Sequence, residues 1–185
     1  MKTVLIKLEH GFEEIEKITV VDILRRAGSI VTISTTVLGV IECSRGIKLT
    51  PDEILEVIMN NEFDLICLAG GKPSTNNLKK WPENSQTFTE NAKSREIYIR
   101  IFALPTILKK AGIVKNRSIT CHPSVKPKFY ANIDDRVVIE WKLITSQSPG
   151  TAMELALKLV EIHFGVDRMK NVNAGVLARI WAFKN

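Results

Sequence analysis

Cysteine is scarce in this sequence, and long apolar runs are absent. The three cysteines, Cys43, Cys67 and Cys121, form an odd set without CxxC spacing, which argues against a disulfide framework or a zinc site. No apolar stretch reaches the ~18 residues of a membrane span, and Glu9 interrupts the N-terminal apolar run too early for a signal peptide. We therefore expect reduced thiols, no cofactor, no membrane partner and a cytoplasmic location.

Charge of one sign is not concentrated anywhere in the chain. The 26 Lys and Arg residues against 20 Asp and Glu give a net charge of +6, but the basic pairs are scattered and no basic run is interleaved with aromatic residues. Nucleic acid is therefore not an expected partner. The length of 185 residues suits one domain spanning 1–185, and 45% hydrophobic residues are sufficient for a sizeable core.

The first third of the chain alternates between strand and helix patterns. An unbroken apolar run over 3–8 predicts a buried strand, and residues 11–28 predict a helix with acids in its first turn and arginines in its last. Residues 30–35 predict a second strand, and 37–50 a hairpin that turns at 44–46. Two apolar series at helical spacing mark the helix: Ile15, Ile18, Val21 and Leu24, and Val20, Ile23, Leu24 and Ala27.

The remainder of the chain continues the alternation. Thr50, Pro51 and Glu53 form a capping box that predicts a helix beginning at Thr50. The other predicted elements, in chain order, are a buried strand over 63–71, a helix over 84–95, a strand over 97–102 that turns sharply into a helix, a short strand over 118–121, the last strands over 137–147, an amphipathic helix over 149–165 and a short helix in the tail, 166–185.

Repeated strand–helix–strand patterns predict an α/β fold with a mainly parallel sheet and helices on both faces. Ligands of such sheets bind beyond the carboxyl ends of the strands. Polar or turn-forming features fall at those predicted ends: "HGFEEIE" (10–16), the double glycine at 70–71, the strand-to-helix turn at Phe102, and "CHP" (121–123). We expect a functional site where they converge.

The turn at Phe102 lacks a reactive side chain. In many α/β enzymes the residue at such a turn is the nucleophile. Phenylalanine cannot ionise, attack a carbonyl carbon or be oxidised as a cysteine can. The sequence therefore predicts an enzyme-like site without the usual chemistry.

Several motifs in order along the chain resemble the DJ/ThiJ/PfpI superfamily. They are "GFEEIE", "VDILRRAG", "CSRG", "LAGG", "ALPTIL", "CHPSVK" and "SPGTAMELALKLVE". The resemblance covers nearly the whole length and implies a flavodoxin-like three-layer sandwich and a homodimer. Active members of the superfamily resemble glyoxalases, deglycases, amidases or redox-sensing chaperones. Some carry a ThiJ label for 4-methyl-5(beta-hydroxyethyl)-thiazole monophosphate biosynthesis, although no residue here argues for thiamine chemistry.

The resemblance also assigns site residues. The family's Glu after the first strand corresponds to Glu16, and its His to His122. The family's elbow pattern of Cys, small residue, Gly, Pro reads here Phe102, Ala103, Leu104 and Pro105, so the nucleophile and the elbow glycine are both replaced. The oxyanion hole of an active relative would use backbone N–H groups near Gly70, Gly71 and Ala103.

Each of these assignments has a structural alternative. Glu16 is either a carboxylate at a helix N-terminus or a buried group near the ring of Phe102, protonated or paired with Arg100. Arg100 itself could instead be exposed at a sheet edge. His122 is either a retained site residue or a strand-end histidine that bonds to the backbone.

The cysteines could supply a substitute nucleophile only through Cys121. Because successive strand side chains point to opposite faces, Cys121 should diverge from His122, which disfavours that role. We expect Cys67 in the core and Cys43 partly exposed near the hairpin, or at an interface in a dimer.

Two functions follow from these residues. The favoured one is a family member with a degenerate site and a non-catalytic role in stress protection, binding or regulation. Its partner would be a second copy of the chain, with a small carbonyl ligand or a client protein. The rival is an active glyoxalase- or deglycase-like enzyme, or an amidase-like hydrolase, that uses Cys121 or a water activated by Glu16. The predicted dimer surface comprises 21–28 and 146–156, where Gln147 and Ser148 replace the family's usual Arg-Gly.

Overall fold

The structure, a computed structural model, describes residues 1–58, 60–68, 98–102, 117–128, 132–141 and 143–179. The strands within this part are β1 (Thr3–Lys7), β2 (Ile30–Thr35), β3 (Ile41–Glu42), β4 (Lys48–Leu49), β5 (Glu53–Ile54), β6 (Leu65–Leu68), β7 (Tyr98–Phe102), β8 (Val137–Glu140) and β9 (Leu143–Ser146). The α-helices are α1 (Glu14–Arg26), α2 (Leu55–Ile58), α3 (Ala152–Phe164) and α4 (Val166–Val176), and short 3₁₀ helices span Pro123–Lys128 and Pro149–Thr151.

A seven-stranded sheet in the order β5-β2-β1-β6-β7-β9-β8 forms the centre of the molecule. Its strands pair in parallel except for β8, which runs antiparallel to β9. The β3–β4 hairpin forms a separate two-stranded sheet. A mainly parallel sheet with helices confirms the predicted α/β, flavodoxin-like class.

One face of the sheet is covered by α1 and α3. Alternate residues of β1, Val4 and Ile6, join Val20 of α1 and Leu159 of α3 in a single buried apolar cluster. Alternation is expected because successive strand side chains point to opposite faces. The helix α4 adds Met169 to the same cluster, so residues 166–176 of the predicted tail do pack back as a helix.

The helices α3 and α4 meet at Gly165, as the sequence predicts. Gly165 has φ +86° and its N–H donates to the carbonyl oxygen of Glu161 at 2.8 Å. A residue with a Cβ is disfavoured at this φ, so glycine permits the sharp change of direction between the two helices.

The two apolar series of α1 differ in how far their side chains are buried. Val20, Ile23 and Leu24 are fully buried under α3, whereas Ile15 is 57% exposed and Ile18 is 39% exposed. The first turns of α1 therefore present apolar side chains to solvent, and only its later turns supply the core.

The predicted helix start at Thr50 is wrong. Residues 53–54 instead form β5 and pair with Ser34 and Thr35 of β2, and the helix begins at Leu55. Asp52 explains the change, because its carboxylate accepts from the Ile33 N–H at 2.8 Å while its own N–H donates to the Ile33 carbonyl at 2.8 Å. These long-range bonds hold the chain extended where the local capping pattern favours a helix.

The predicted strand over 118–121 is also wrong. Only Ile119 pairs, in an isolated bridge to Asn132. The Thr120 N–H donates to the side-chain oxygen of Thr145 at 2.9 Å rather than to a neighbouring strand. The segment therefore lies beside the sheet without extending it.

Other elements agree with the sequence. The strands near residues 3–8, 30–35 and 137–147 are present, and so is the hairpin turn at 44–46. The described part of the chain contains no helix long and apolar enough to cross a membrane. The predicted helix over 84–95 and the helix after the elbow lie outside the described residues.

Candidate functional site

Glu16 is held in the first turn of α1 by a short local network. Glu13 precedes the helix in an extended conformation, and its Oε2 accepts the Glu16 N–H at 2.8 Å. This is an N-terminal cap, which satisfies a backbone donor that the helix itself cannot. Gly11, at φ +77°, donates its N–H to the Glu42 carbonyl at 2.8 Å and ties the turn before the helix to the hairpin.

The Glu16 side chain is buried, as the sequence predicts. Glu16 is 2% exposed, and its Oε2 has no hydrogen-bond partner among the described residues. Burial raises the pKa of Glu16 to about 7; the nearby charge of Lys17 opposes that rise and the charge of Glu13 adds to it. Near neutral pH this carboxyl group is therefore present in both its protonated and ionised forms.

Lys17 is the cation beside Glu16, and its side chain is completely buried. The Lys17 Nζ atom lies 4.0 Å from Glu16 Oε2, which is longer than a hydrogen bond. Burial lowers the pKa of Lys17 to about 8, against the attraction of Glu16, Cys67 and Glu13. An acid and an amine that both titrate near neutrality thus lie next to each other in a buried setting.

The predicted elbow strand ends at Phe102. Its Cα partner on β9 is Ser146, whose hydroxyl is buried and bonded to the Thr151 hydroxyl. Arg100 sits at the register position between Cys67 of β6 and Ile144 of β9. The backbone of β7 therefore places position 102 at the carboxyl end of the sheet, as predicted.

Part of the predicted site lies outside the described residues. This part comprises the ring of Phe102, the guanidinium group of Arg100, and Gly70, Gly71 and Ala103. The oxyanion role and the contacts of Glu16 with Phe102 and Arg100 stay predictions.

Cys121 and His122 diverge, as expected, although the strand on which that expectation rested does not form over 118–121. Cys121 is fully buried and its thiol donates to Asn132 Oδ1 at 3.3 Å. Burial also raises the pKa of this thiol, with a smaller opposing effect from Lys126. His122 is exposed, and its Nδ1 lies 2.9 Å from the Ser124 hydroxyl and accepts the Ser124 N–H at 3.3 Å. The histidine thus bonds to a neighbouring backbone N–H, which is the alternative to a retained role in the site.

The other cysteines are both buried. Cys67 is 1% exposed, which confirms its predicted place in the core. The prediction that Cys43 is partly exposed is wrong, because it is 5% exposed and its Sγ accepts the Ile47 N–H at 3.1 Å inside the hairpin turn. No cluster of three metal-ligating side chains occurs in the described part of the chain.

Lys17 was not predicted as a site residue, although the sequence contains the signal for it. Positions 17, 20, 21 and 24 follow the i, i+3, i+4, i+7 spacing of one helical face, and the last three are apolar and buried. A lysine on the core face of an amphipathic helix is rarely buried without a partner. The same reasoning applies to Lys7, an unexpected lysine in a buried strand.

Lys7 forms a second buried pair at the end of β1. Its Nζ donates to Glu9 Oε1 at 2.7 Å, and that oxygen also accepts from the Thr36 hydroxyl at 2.8 Å. Burial lowers the pKa of Lys7, while Glu9 and Glu56 counteract the effect. The direct hydrogen bond to Glu9 distinguishes this pair from Glu16 and Lys17.

These features define an α/β sandwich with a buried acid at the start of α1, next to the carboxyl end of the sheet. A family model described as the DJ-1/PfpI family matches residues 2–162. The chain therefore belongs to the DJ-1/PfpI family, in agreement with the resemblance of its motifs.

Individual relatives agree with the family. Protein dj-1beta of Drosophila melanogaster is 35% identical over 181 residues, covering 95% of this chain and 97% of that protein. The glutathione-independent glyoxalase DJR-1.2 of Caenorhabditis elegans is 37% identical over 164 residues, covering 86% of this chain and 87% of that protein. These similarities extend well beyond the residues around the site.

Solved structures give the same result. Oxidized Toxoplasma gondii DJ-1 superposes with a TM-score of 0.89 at 26% identity, covering 99% of this chain and all of that one (100%). The crystal structure of Drosophila melanogaster DJ-1beta gives a TM-score of 0.87 at 33% identity, covering 96% and 98% of the two chains. The fold is therefore shared with DJ-1 proteins over essentially its whole length.

The buried pair predicts a pH dependence of stability. The folded-state pKa of Glu16 is raised, so its stabilising contribution is complete below the unfolded value of about 4.5 and is lost as pH rises through about 7. The folded-state pKa of Lys17 is lowered, so its contribution recovers as pH rises from about 8 toward 10.5. We expect Glu16→Gln to abolish the loss of stability between about pH 5 and pH 7.5.

Urea unfolding of wild type and Glu16→Gln across this range measures the effect. Asp22→Asn is a matched control, because the half-exposed Asp22 forms only a surface pair with Arg26 on the same helix. An identical pH profile for wild type and Glu16→Gln would show that Glu16 titrates as an ordinary exposed carboxyl group.

Proposed function

We propose that this protein is a DJ-1/PfpI family member that binds small carbonyl compounds without thiol-based turnover, in a protective or regulatory role. One observation carries the proposal: the strand that presents the family's nucleophile ends here at Phe102, while the buried acid Glu16 is retained. A site that keeps its acid but lacks its thiol can bind a polar carbonyl group without forming a thiohemiacetal.

The state of Cys121 supports the absence of a substitute thiol. A reactive cysteine needs its thiolate form, which cationic neighbours or a helix N-terminus usually stabilise. Cys121 is fully buried, its thiol is engaged by Asn132, and its pKa is raised. The exposed His122 bonds to Ser124 and is not arranged as a base for that thiol.

A working glyoxalase-like enzyme is the second candidate. Two observations favour it: the 37% identity to a relative named as a glutathione-independent glyoxalase, and the pKa of Glu16 near 7. A carboxyl group with such a pKa is suited to general acid–base catalysis at neutral pH. In this case Glu16 would activate a water molecule directly.

Turnover of methylglyoxal separates the two candidates. We expect no turnover above background by wild type, weak turnover by Phe102→Cys, and a further gain of about 100-fold when Leu104→Gly realigns the elbow donors, since a misplacement of ~1 Å costs a rate of that order. Leu104→Gly alone should have no effect, because the wild-type site has no nucleophile to align.

The controls are Cys121→Ser and Glu16→Gln. Wild-type turnover that disappears in Cys121→Ser would show that a substitute thiol performs the reaction. Turnover that survives in Cys121→Ser and disappears in Glu16→Gln would favour the water-based enzyme. Either result would replace the proposed function.

We further propose that the protein is a homodimer. The family resemblance of 21–28 and 146–156 supports this, and so does the exposure of Ile15 and Ile18 on the outer face of α1. Exposed apolar side chains on neighbouring turns of one helix are suited to burial against a second copy.

Sedimentation at micromolar concentration is expected to give a dimer. Ile18→Glu should shift the equilibrium toward monomer by at least ~10-fold, because it places a charge in an apolar contact. Val57→Glu is the matched control, since Val57 is 66% exposed on α2. A monomer in wild type, or an equal shift in both variants, would contradict the dimer or its proposed surface.

A further inference from the structure

We propose that the buried Lys7–Glu9 pair positions the turn before α1 and thereby holds Glu16 in place at the candidate site. The inference rests on the proposed function in one respect, because Glu16 is the acid that the site retains for a carbonyl ligand. Lys7 is the last residue of β1, Glu9 follows it two residues later, and both side chains are buried.

One oxygen of the Glu9 carboxylate joins the ends of two neighbouring strands. Oε1 of Glu9 accepts a hydrogen bond from the Lys7 amine at 2.7 Å, from the Thr36 hydroxyl at 2.8 Å and from the Thr36 N–H at 3.3 Å. Thr36 directly follows β2, which pairs in parallel with β1. These bonds therefore extend the contact between the two strands beyond their own ladder.

The backbone of Glu9 opens the turn that leads into α1. The Glu9 carbonyl oxygen accepts the Phe12 N–H at 3.1 Å, and Gly11 within this turn has φ +77°, where glycine is favoured. Phe12 is fully buried, and the Glu13 carboxylate then accepts the Glu16 N–H. The side chain and the carbonyl group of Glu9 thus connect the end of β1 to the helix start that carries Glu16.

The β3–β4 hairpin continues this connection. Thr36 begins the segment that leads into the hairpin, and the Gly11 N–H donates to the carbonyl oxygen of Glu42 on β3 at 2.8 Å. The chain that enters α1 and the chain that enters the hairpin are therefore bonded at Glu9 and again at Gly11. Releasing the Glu9 carboxylate would remove the bonds nearest to the sheet and free the start of the turn.

Direct charge does not link the pair to Glu16. Ile6 belongs to the apolar cluster under α1 and α3, so Lys7, the next residue of the strand, points to the opposite face of the sheet. The charges that act on the Glu16 carboxyl group among the described residues are those of Lys17 and Glu13. An effect of the pair on Glu16 must therefore pass through the turn rather than across the sheet.

A buried ion pair is better suited to fixing a geometry than to stabilising a fold. Desolvation of the two groups offsets most of their attraction, so apolar residues of similar size are often equally stable or more stable. The bonds that Glu9 Oε1 accepts, in contrast, define one position for the carboxylate. We therefore expect the pair to be dispensable for folding and required for the order of the turn.

Amide hydrogen exchange, followed by NMR, tests the inference in a double variant that combines Lys7→Met with Glu9→Leu. Exchange at Phe12 and Glu16 should accelerate by at least ~10-fold, the order expected when hydrogen bonds to a charged group are lost, because the turn opens locally. Exchange at Leu159, which is buried in α3, should keep its wild-type rate.

The titration of Glu16 is a readout that a purely stabilising pair would not change. In the double variant the pKa of Glu16, followed by carbon-13 NMR, should fall from about 7 to about 6 or below, because the loosened first turn admits water to the carboxyl group. Asp64→Asn is the control, since it disrupts an acid–lysine pair with Lys2 at the other end of β1. It should leave the Glu16 titration and the exchange at Phe12 unchanged.

Thr36 offers a milder test that leaves the ion pair intact. The residue is exposed, so its substitution does not disturb the core. Thr36→Val removes the hydroxyl that donates to Glu9 and should accelerate exchange at Phe12 and Glu16 by ~3-fold. Thr36→Ser keeps a hydroxyl at this position and should retain the wild-type rates.

Several outcomes would overturn the inference. Unchanged exchange at Phe12 and Glu16 in the double variant, or an equal acceleration at Leu159, would show that the pair only stabilises the fold. Failure of the double variant to fold would do the same, because the pair would then be required for stability. Equal rates in Thr36→Val and Thr36→Ser would show that the bond between Glu9 and Thr36 does not hold the turn.

These readouts are independent of the proposed function, because they need no ligand. Methylglyoxal turnover by wild type would contradict the proposed function and leave the expected exchange rates and Glu16 titration as they are. Absence of turnover together with unchanged exchange in the double variant would instead contradict only the positioning role of Lys7 and Glu9.

Discussion

Burial of the Glu16 carboxyl group beside the Lys17 amine is the constraint on which this account of the site depends. Water is excluded from both groups, so each resists its charged form, and their mutual attraction only partly compensates. The result is an acid and a base whose pKa values approach each other from opposite sides of neutrality. Such convergence is common at functional sites, where environment rather than residue type sets the protonation state.

The fold produces this burial by a chain of specific contacts. The Glu13 cap fixes where α1 begins, and the apolar face of α1 packs under α3 against β1 and β6. Because Lys17 shares that face with Val20 and Leu24, its position in the core follows from the docking of the helix. The β3–β4 hairpin braces the turn before α1 through Gly11 and through a hydrogen bond from Ser44 to Glu14.

Much of the fold could be predicted from the sequence, because its signals are local. The run at 30–35 specifies a strand by composition, and Gly165 specifies a helix boundary by its backbone freedom. The start of α2 could not be predicted in this way. The sequence around Thr50 does contain a capping pattern that favours a helix. The hydrogen bonds between Asp52 and Ile33 of β2 join residues far apart in sequence, and they keep this segment extended instead.

The candidate site likewise contains some features that the sequence predicts and others that only the packing reveals. A family motif predicts Glu16, which is buried. Cys121 and His122 point apart although no strand forms there, because the thiol of Cys121 bonds to Asn132 and the ring of His122 bonds to Ser124.

The sequence predicts Arg100 as a partner of Glu16, and that contact stays a prediction because the Arg100 side chain lies outside the described residues. The structure adds Lys17, the next residue in the chain, whose Nζ lies 4.0 Å from Glu16 Oε2. Adjacent helical residues usually face different directions, so only the packing of the first turns of α1 reveals that both side chains are buried.

The pKa of Glu16 tests this account most directly. Carbon-13 NMR of the Glu16 side-chain carboxyl group measures it as a function of pH, in wild type and in Lys17→Met. The account predicts titration at about 7 in wild type, and a higher pKa in the variant because the only attractive charge acting on Glu16 among the described residues is removed. Titration near 4.5 in both proteins would contradict it, because the carboxyl group would then be solvated and independent of Lys17.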